Sequence, residues 1–154
     1  MKLTRDLREF IELLNAHRVE HLVVGGWAFG YHATPRYTGD LDFFVRCNQE
    51  NCERLKQVLL AFGFTELAGF EESFLQAGRI IQFGLPPSRI DILTEISGVT
   101  FDEAWEFRET GDLDGLRVPF INREHLIRNK TAAGRAKDRA DVEALERTKP
   151  KPAS

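Results

Sequence analysis

Three aspartates are placed where they could act together on a phosphorylated substrate. Asp40 and Asp42 open an apolar segment, residues 40–45, whose alternation predicts a strand with both carboxylates on one face. Asp91 stands inside a second apolar segment. Carboxylate oxygens are ligands that Mg²⁺ takes together with substrate phosphates. The trio therefore predicts a magnesium-dependent phosphoryl-transfer site, in which the third carboxylate could accept a proton from an attacking hydroxyl.

A glycine pair, Gly25 and Gly26, precedes the two closely spaced aspartates. The pair follows a buried strand predicted over residues 21–24 and leads into residues 27–31, which fit a helix packed behind the turn. Glycine lets the backbone come close to a phosphate, and the amides at a helix N-terminus donate to anions. We expect the pair to contact the phosphates of a nucleotide.

These features also have structural interpretations. An Asp-x-Asp pair often marks only a solvated strand end. A carboxylate within an apolar strand is costly unless it is paired or metal-bound, so Asp91 could instead be held by Arg36 or Arg89. Trp27 could stack on a base, but an aromatic side chain behind a glycine turn belongs more often to the core.

Length and composition bound the class of protein. With 154 residues, 42% hydrophobic and 29% charged, the chain is predicted to form one domain over residues 1–148 and a disordered tail over residues 149–154. The two cysteines make neither a disulfide framework nor a zinc site, which favours a reducing compartment. The sequence has no signal peptide and no long apolar span. We expect a cytoplasmic protein without a membrane partner.

Charge is distributed unevenly. The net charge is -3, which argues against a general affinity for nucleic acid. From Arg123 onward, nine Lys and Arg stand against five Asp and Glu, while the remainder holds twelve against nineteen. A basic helical segment near the carboxylates could hold a triphosphate, or it could be a solvated helix face.

Periodicity and capping residues predict the remaining elements. Helices are expected over residues 4–17, 49–62, 101–107, 123–133 and 136–147. Strands are expected over residues 21–24, 40–45, 79–83, 89–93 and 116–120. Pro119 indicates an edge position for the last strand, and residues 64–76 are ambiguous. The set predicts an α/β (α+β) fold, with a mixed sheet, flanking helices and a C-terminal helical segment.

These motifs resemble those of the DNA polymerase β-type nucleotidyltransferase superfamily. Its core pattern is a strand ending in Gly-Gly or Gly-Ser, then Asp-hydrophobic-Asp/Glu, then hydrophobic-Asp-hydrophobic. Residues 23–26, 40–42 and 90–92 match the three parts, with a second glycine where many members have serine. The resemblance covers roughly residues 20–145.

Residues 25–28, followed by Arg36 and the aspartate pair, are similar to bacterial subgroups. These are the small aminoglycoside and lincosamide nucleotidyltransferases and the AbiEii-type toxin or minimal nucleotidyltransferase group. Residues 123–130 resemble an Arg-Glu…Lys helix of the toxin group. Residues 137–141 resemble its Arg-Asp-x-x-Asp helix, with Lys137 in place of the arginine. This replacement keeps the positive charge but loses the planar fork of hydrogen-bond donors.

The resemblance implies a nucleotidyltransferase fold and transfer of a nucleoside monophosphate from an NTP to a hydroxyl acceptor, with Mg²⁺ or Mn²⁺ as cofactor. It implies that Asp40, Asp42 and Asp91 are the metal ligands and catalytic residues, Asp91 being a third ligand or the general base. It also implies nucleotide binding by Gly25, Gly26, Arg36, Lys130, Arg135, Lys137 and Asp138.

Several alternatives remain open at this point. The acceptor could be tRNA, a protein or a small molecule such as an antibiotic, and the protein could be a toxin with a cognate antitoxin. A non-catalytic module that binds nucleotide or RNA through the same fold is the alternative to an enzyme. Asp138 could simply be a negative charge favoured at a helix N-terminus, with Asp141 on the same helix face.

Overall fold

The fold is a six-stranded mixed sheet flanked by helices. A computed structural model describes residues 2–76, 78–148 and 150. The expected disordered tail, residues 149–154, lies outside these residues except for Pro150. The strands are β1 (His21–Val24), β2 (Asp40–Val45), β3 (Ile80–Phe83), β4 (Arg89–Leu93), β5 (Glu109–Leu113) and β6 (Leu116–Phe120). The helices are α1 (Arg5–Ala16), α2 (Gly25–His32), α3 (Gln49–Phe62), α4 (Phe70–Leu75), α5 (Phe101–Glu106), α6 (Arg123–Ala133) and α7 (Ala136–Arg147).

The sheet has the order β3-β4-β2-β1-β6-β5. Strands β2 and β4 are parallel neighbours, and β1 and β6 are parallel as well. The other three pairs are antiparallel. The predicted mixed sheet with flanking helices is confirmed.

The face of β2 opposite the aspartates is built for burial. Leu41 and Phe43 are fully buried on that face, and the Phe43 ring centroid lies 5.7 Å from that of Phe10 on α1. Helix α1 begins at a Thr4 N-cap, whose hydroxyl accepts a hydrogen bond from the Leu7 amide. Burying one face of β2 in this way leaves its other face available for the carboxylates.

Two elements were not anticipated. Strand β5 has the polar sequence Glu-Thr-Gly-Asp-Leu, which lacks a strand pattern, and it forms through antiparallel pairing with β6 across the Asp114-Gly115 turn. Helix α4 lies in the stretch whose sequence is ambiguous, and it buries Phe70 and Phe74. Its first turn carries two glutamates, which suit a helix N-terminus.

The prediction that Pro119 marks an edge strand is wrong. Strand β6 lies between β1 and β5, and β5 is the edge. Strand β1 meets β6 only at the Val23–Phe120 pair, with the Ile121 amide donating to the Val23 carbonyl. Pro119 therefore precedes the short stretch that pairs with β1, and its missing N–H interrupts no pairing there.

Within residues 2–76, 78–148 and 150, no helix has the length and apolar character needed to cross a membrane.

Candidate nucleotide and metal site

The parallel pairing of β2 and β4 brings the three aspartates together. Asp42 lies directly opposite Asp91, and Asp40 lies opposite Arg89. One carboxylate oxygen from each of Asp40, Asp42 and Asp91 lies within 4.8 Å of the others. Three oxygens at this spacing could share one divalent cation.

Arg89 occupies the flank of this acidic cluster. Its Nη2 donates to Asp40 Oδ2 at 2.7 Å and to Asp91 Oδ2 at 3.3 Å. Its Nε lies 3.2 Å from Asp91 Oδ1, although neither of these two buried atoms has a hydrogen-bond partner of good geometry. Of the two arginines proposed as partners of Asp91, Arg89 is therefore the one in contact, and it contacts Asp40 as well.

Asp42 is the most perturbed of the three carboxyls. Burial, followed by the negative charges of Asp40 and Asp91, raises the pKa of Asp42 to about 8. Burial opposes ionisation of Asp40 too, but hydrogen bonds from Thr38 and Arg89 bring the pKa of Asp40 below its usual value. Like-charged carboxyls this close cannot all ionise cheaply without a cation between them.

The donor set fits a divalent metal. Asp42 Oδ1 is buried and has no hydrogen-bond partner among the described residues, while Asp91 Oδ1 lies 3.2 Å from Arg89 Nε without a hydrogen bond of good geometry. Buried acceptors of this kind are normally satisfied, and each orphaned one calls for an explanation. Hard oxygen ligands in the absence of histidine or cysteine favour Mg²⁺ or Mn²⁺ over softer metals.

Gly25 allows the carboxylates and α2 to meet. Its φ is +64°, and a Cβ added there would overlap the Asp42 carboxylate. Gly26 is close to Thr38, since a Cβ there would lie 3.2 Å from Thr38 Oγ1. Both glycines belong to the first turn of α2, which begins at Gly25 rather than at Trp27. Its free amides therefore lie beside Asp42.

A cleft of about 1040 Å³ opens from Asp42 and Gly25 toward the C-terminal helices. Its far wall includes Lys130 on α6, together with Arg135 and Asp138 at the start of α7. We call this space the nucleotide cleft. It brings five predicted site residues together around one cavity.

Lys130 reaches the cleft from an almost fully buried position. Its side chain is 7% exposed, and its Nζ donates to Asp141 Oδ2 at 2.9 Å. Arg36 forms a bidentate pair with the same carboxylate, at 2.7 Å and 2.9 Å. Burial works against ionisation of Asp141, but these hydrogen bonds lower the pKa of Asp141 to about 2. Phe29 lies beneath both cations, with the Arg36 guanidinium 4.1 Å from its ring centroid.

Asp138 lies at the start of α7, where it pairs with Arg135. Arg135 donates from Nε to Asp138 Oδ2 at 2.6 Å, and the Arg135 amide donates to the same oxygen at 3.2 Å. The side-chain hydrogen bond from Arg135 is the main cause that lowers the pKa of Asp138, and the backbone hydrogen bond adds to it. Asp138 thus caps α7 and also lines the cleft. Lys137 is exposed and is not part of the cleft wall.

Sequence reasoning missed several residues at the site. Thr38 donates to Asp40 Oδ1 at 2.9 Å, and its position two residues before the first aspartate could have drawn notice. Thr94 follows β4, lines the cleft and has a buried Oγ1 without a partner among the described residues. Asp141 was noted only for its helix face. Its role as the shared partner of Arg36 and Lys130 depends on long-range packing that has no local sequence signal.

Comparison with solved structures identifies the fold. The structure is similar to the lincomycin-bound lincosamide antibiotic adenylyltransferase LnuA, with a TM-score of 0.56 and 14% identity over 96% of this chain and 99% of that one. It is also similar to an antigenic nucleotidyltransferase-like protein from Paracoccidioides brasiliensis, with a TM-score of 0.52 and 13% identity over 93% of this chain and 77% of that one. No protein-family model and no curated protein matches the sequence.

The chain thus has the nucleotidyltransferase fold. At 13–14% identity the similarity establishes the architecture, and the activity has to be argued from the site itself.

Proposed function

We propose that this protein is a metal-dependent nucleotidyltransferase that moves a nucleoside monophosphate from an NTP to a hydroxyl acceptor and releases pyrophosphate. The observation that carries the proposal is the convergence of three carboxylates within 4.8 Å, of which Asp42 lines a cleft that also holds Lys130 and Arg135. Anionic ligands for a cation and cationic donors for phosphate are both needed to hold a metal–triphosphate complex.

The acidic end would hold the metal and begin proton transfer. Asp40, Asp42 and Asp91 would be the ligands, and a bound Mg²⁺ would neutralise the triphosphate and stabilise the entering and leaving oxygens. Asp91 is 7% exposed, and its Oδ1 lies 3.2 Å from Arg89 Nε without a hydrogen bond of good geometry. This oxygen would accept the acceptor's proton if Asp91 acts as the general base rather than as a third ligand.

The basic end would hold the phosphates. Gly25 and Gly26 would donate backbone amides from the first turn of α2. Arg135 has a 67% exposed side chain at the cleft wall and can turn toward an anion while Asp138 keeps its helix cap. Lys130 would have to turn from Asp141 toward the triphosphate, while Arg36, which pairs with the same carboxylate but does not line the cleft, would act only through Asp141. Lys137 would contribute only to the surrounding positive field.

The decisive experiment is transfer of radiolabel from each α-labelled NTP in the presence of Mg²⁺ and a cell extract. We expect the wild type to label one fraction and Asp42→Asn to label it at least about a hundredfold more slowly, because a metal ligand is lost. Asp6→Asn is the matched control, since Asp6 is an exposed aspartate on α1. Equal labelling by wild type and Asp42→Asn would rule out the proposed site.

Among the possible acceptors, a small molecule is the one that a specific observation favours. The similar adenylyltransferase was solved with lincomycin, and the two chains align over 96% and 99% of their lengths. A toxin acting on tRNA or protein, paired with an antitoxin, is the competing form, and the chemical nature of the labelled fraction distinguishes the two. NTP binding by calorimetry without any labelled product would favour the non-catalytic module.

A further inference from the structure

A second cavity adjoins the acidic cluster through Thr38 and shares no lining residue with the nucleotide cleft. It has a volume of about 450 Å³ and is lined by Lys2, Trp27, Pro35, Tyr37, Thr38 and Pro87, among others. We call it the Tyr37 groove. We propose that the Tyr37 groove binds the hydroxyl acceptor, and that this acceptor is a small ring compound without positive charge. The inference rests on the proposed function.

The position of the groove suits an acceptor. Thr38 lines the groove, and its hydroxyl donates to Asp40 Oδ1 at 2.9 Å. Asp42 lines the nucleotide cleft on the other side. The acidic cluster therefore contacts the linings of both cavities. Because the attacking and leaving oxygens are roughly in line in phosphoryl transfer, acceptor and pyrophosphate must approach the reacting phosphorus from opposite sides.

The size and lining of the groove suit a small ring. Pockets for small molecules are typically about 300–1,000 Å³ and mainly apolar, with a few polar groups that fix orientation. Pro35, Pro87 and the Tyr37 ring supply apolar surface. Tyr37 is 77% exposed, so its ring is available for stacking. Gly39 lets the rim close, since a Cβ there would lie 3.0 Å from Pro86 Cβ and 3.8 Å from the Tyr37 hydroxyl.

The charges of the groove select among acceptors. Of the described residues that line it, Lys2 and Arg36 are basic and none is acidic. Arg36 is already paired with Asp141, which leaves the Lys2 ammonium as the groove's main charge. A polycationic acceptor would meet positive charge without a carboxylate to pair with. An uncharged or anionic ring compound meets no such penalty.

The same features argue against RNA. Single-stranded nucleic acid is held by a positively charged track that follows several phosphates. The groove offers two basic residues, and the whole chain has a net charge of -3. A single ring could stack on Tyr37, but a strand would lack partners beyond it.

Binding can be tested separately from catalysis in the Asp42→Asn background. The probes are 4-nitrophenyl β-D-glucuronide, which is anionic, and 4-nitrophenyl β-D-glucoside, which is neutral, observed by saturation-transfer NMR. We expect both to bind and kanamycin, a polycation, not to compete. Adding Tyr37→Ala should weaken binding of both probes about tenfold, because the stacking surface is lost. Leu85→Ala is the matched control, since Leu85 is 80% exposed and does not line the groove.

In the otherwise wild-type enzyme, Tyr37→Ala should raise the KM for the acceptor about tenfold and leave the KM for NTP within about twofold. Failure of both probes to bind, preferential binding of kanamycin or RNA, or equal effects of Tyr37→Ala and Leu85→Ala would each overturn the groove assignment and leave the proposed function standing. Probe binding that depends on Tyr37, in a protein without Asp42-dependent transfer, would overturn the proposed function and with it the acceptor role.

Discussion

The Asp42 carboxyl is enclosed by other carboxyls, and this enclosure sets how it titrates. Its pKa is raised to about 8 by burial and by the charges of Asp40 and Asp91. An unperturbed aspartate has a pKa of about 4. At pH values between about 4 and 8, Asp42 therefore keeps its proton in the folded protein but has lost it in the unfolded chain. Stability linked to Asp42 must therefore fall as pH rises through this window.

This linkage can be measured on the metal-free protein. We expect Asp42→Asn to remove a decline in unfolding free energy between about pH 5 and pH 8, because the amide carries no titrating proton. Urea denaturation in EDTA at several pH values gives the difference between wild type and variant. Taking the difference cancels the contribution of His21, whose burial lowers its pKa to about 4. Parallel stability–pH curves for the two proteins would contradict the assignment.

Gly25 combines a left-handed backbone with direct contact to a ligand carboxylate. We expect Gly25→Ala to cost about 1–2 kcal/mol in stability from its positive φ and to slow nucleotidyl transfer at least tenfold by displacing Asp42.

Gly69→Ala is the matched control, because Gly69 has a φ of +80° and its Cβ position has no neighbour within 4 Å. It should cost about 1 kcal/mol without slowing transfer. Transfer that falls equally in both variants would show that backbone strain, and not contact with Asp42, is responsible.

At the scale of elements, Asp141 ties three segments together. It lies on α7 and contacts Lys130 on α6 and Arg36 in the loop that leads into β2. Lys130 lines the nucleotide cleft and Arg36 lines the Tyr37 groove. Asp141 is thus placed to position one cation in the lining of each cavity.

Removing this charge should damage both stability and binding. We expect Asp141→Asn to destabilise the protein by about 3 kcal/mol, because the buried Lys130 ammonium loses its close partner and keeps only the 3.9 Å contact with Asp138. The KM for NTP should rise as Lys130 loses its position in the wall of the nucleotide cleft. Asp102→Asn breaks the pair with Arg46, in which the aspartate is 84% exposed, and should cost less than about 1 kcal/mol. Chemical denaturation and steady-state kinetics of both variants test this, and equal losses would contradict it.

At the scale of the whole molecule, metal binding, folding and pH should be coupled. Carboxyl groups coordinate a metal only when they are deprotonated, so the affinity of the protein for the metal rises with pH up to the pKa of the carboxyl group. Because the pKa of Asp42 is raised to about 8, we expect Mg²⁺ to raise the Tm more at pH 8.5 than at pH 6. The shift follows from preferential binding to the folded state.

Differential scanning calorimetry with and without Mg²⁺ at the two pH values measures this effect. Asp42→Asn should abolish most of the shift, while Asp6→Asn should keep it because Asp6 is exposed and does not belong to the carboxylate cluster. A Mg²⁺-dependent shift that is identical at both pH values, or unaffected by Asp42→Asn, would contradict the proposed metal site.

The local parts of the fold were predictable from the sequence because they depend on short-range geometry. Alternation along residues 40–45 places Asp40 and Asp42 on one strand face whatever surrounds them. The Asn48 and Asn122 caps start helices where predicted, since each side chain accepts a hydrogen bond from a nearby amide. Strand β5 could not be predicted in this way, because its polar segment becomes a strand only by pairing with β6.

The sequence alone determined which residues could bind a metal and which two of them share a strand face, because side-chain alternation and the freedom of glycine are properties of the local backbone. Only the tertiary structure decided that Asp91 lies opposite Asp42, that Arg89 rather than Arg36 holds it, and that Arg36 meets Lys130 at Asp141. Those contacts join residues far apart in the chain. They depend on the parallel register of β2 and β4 and on the packing of α6 and α7, which burial of the core sets globally.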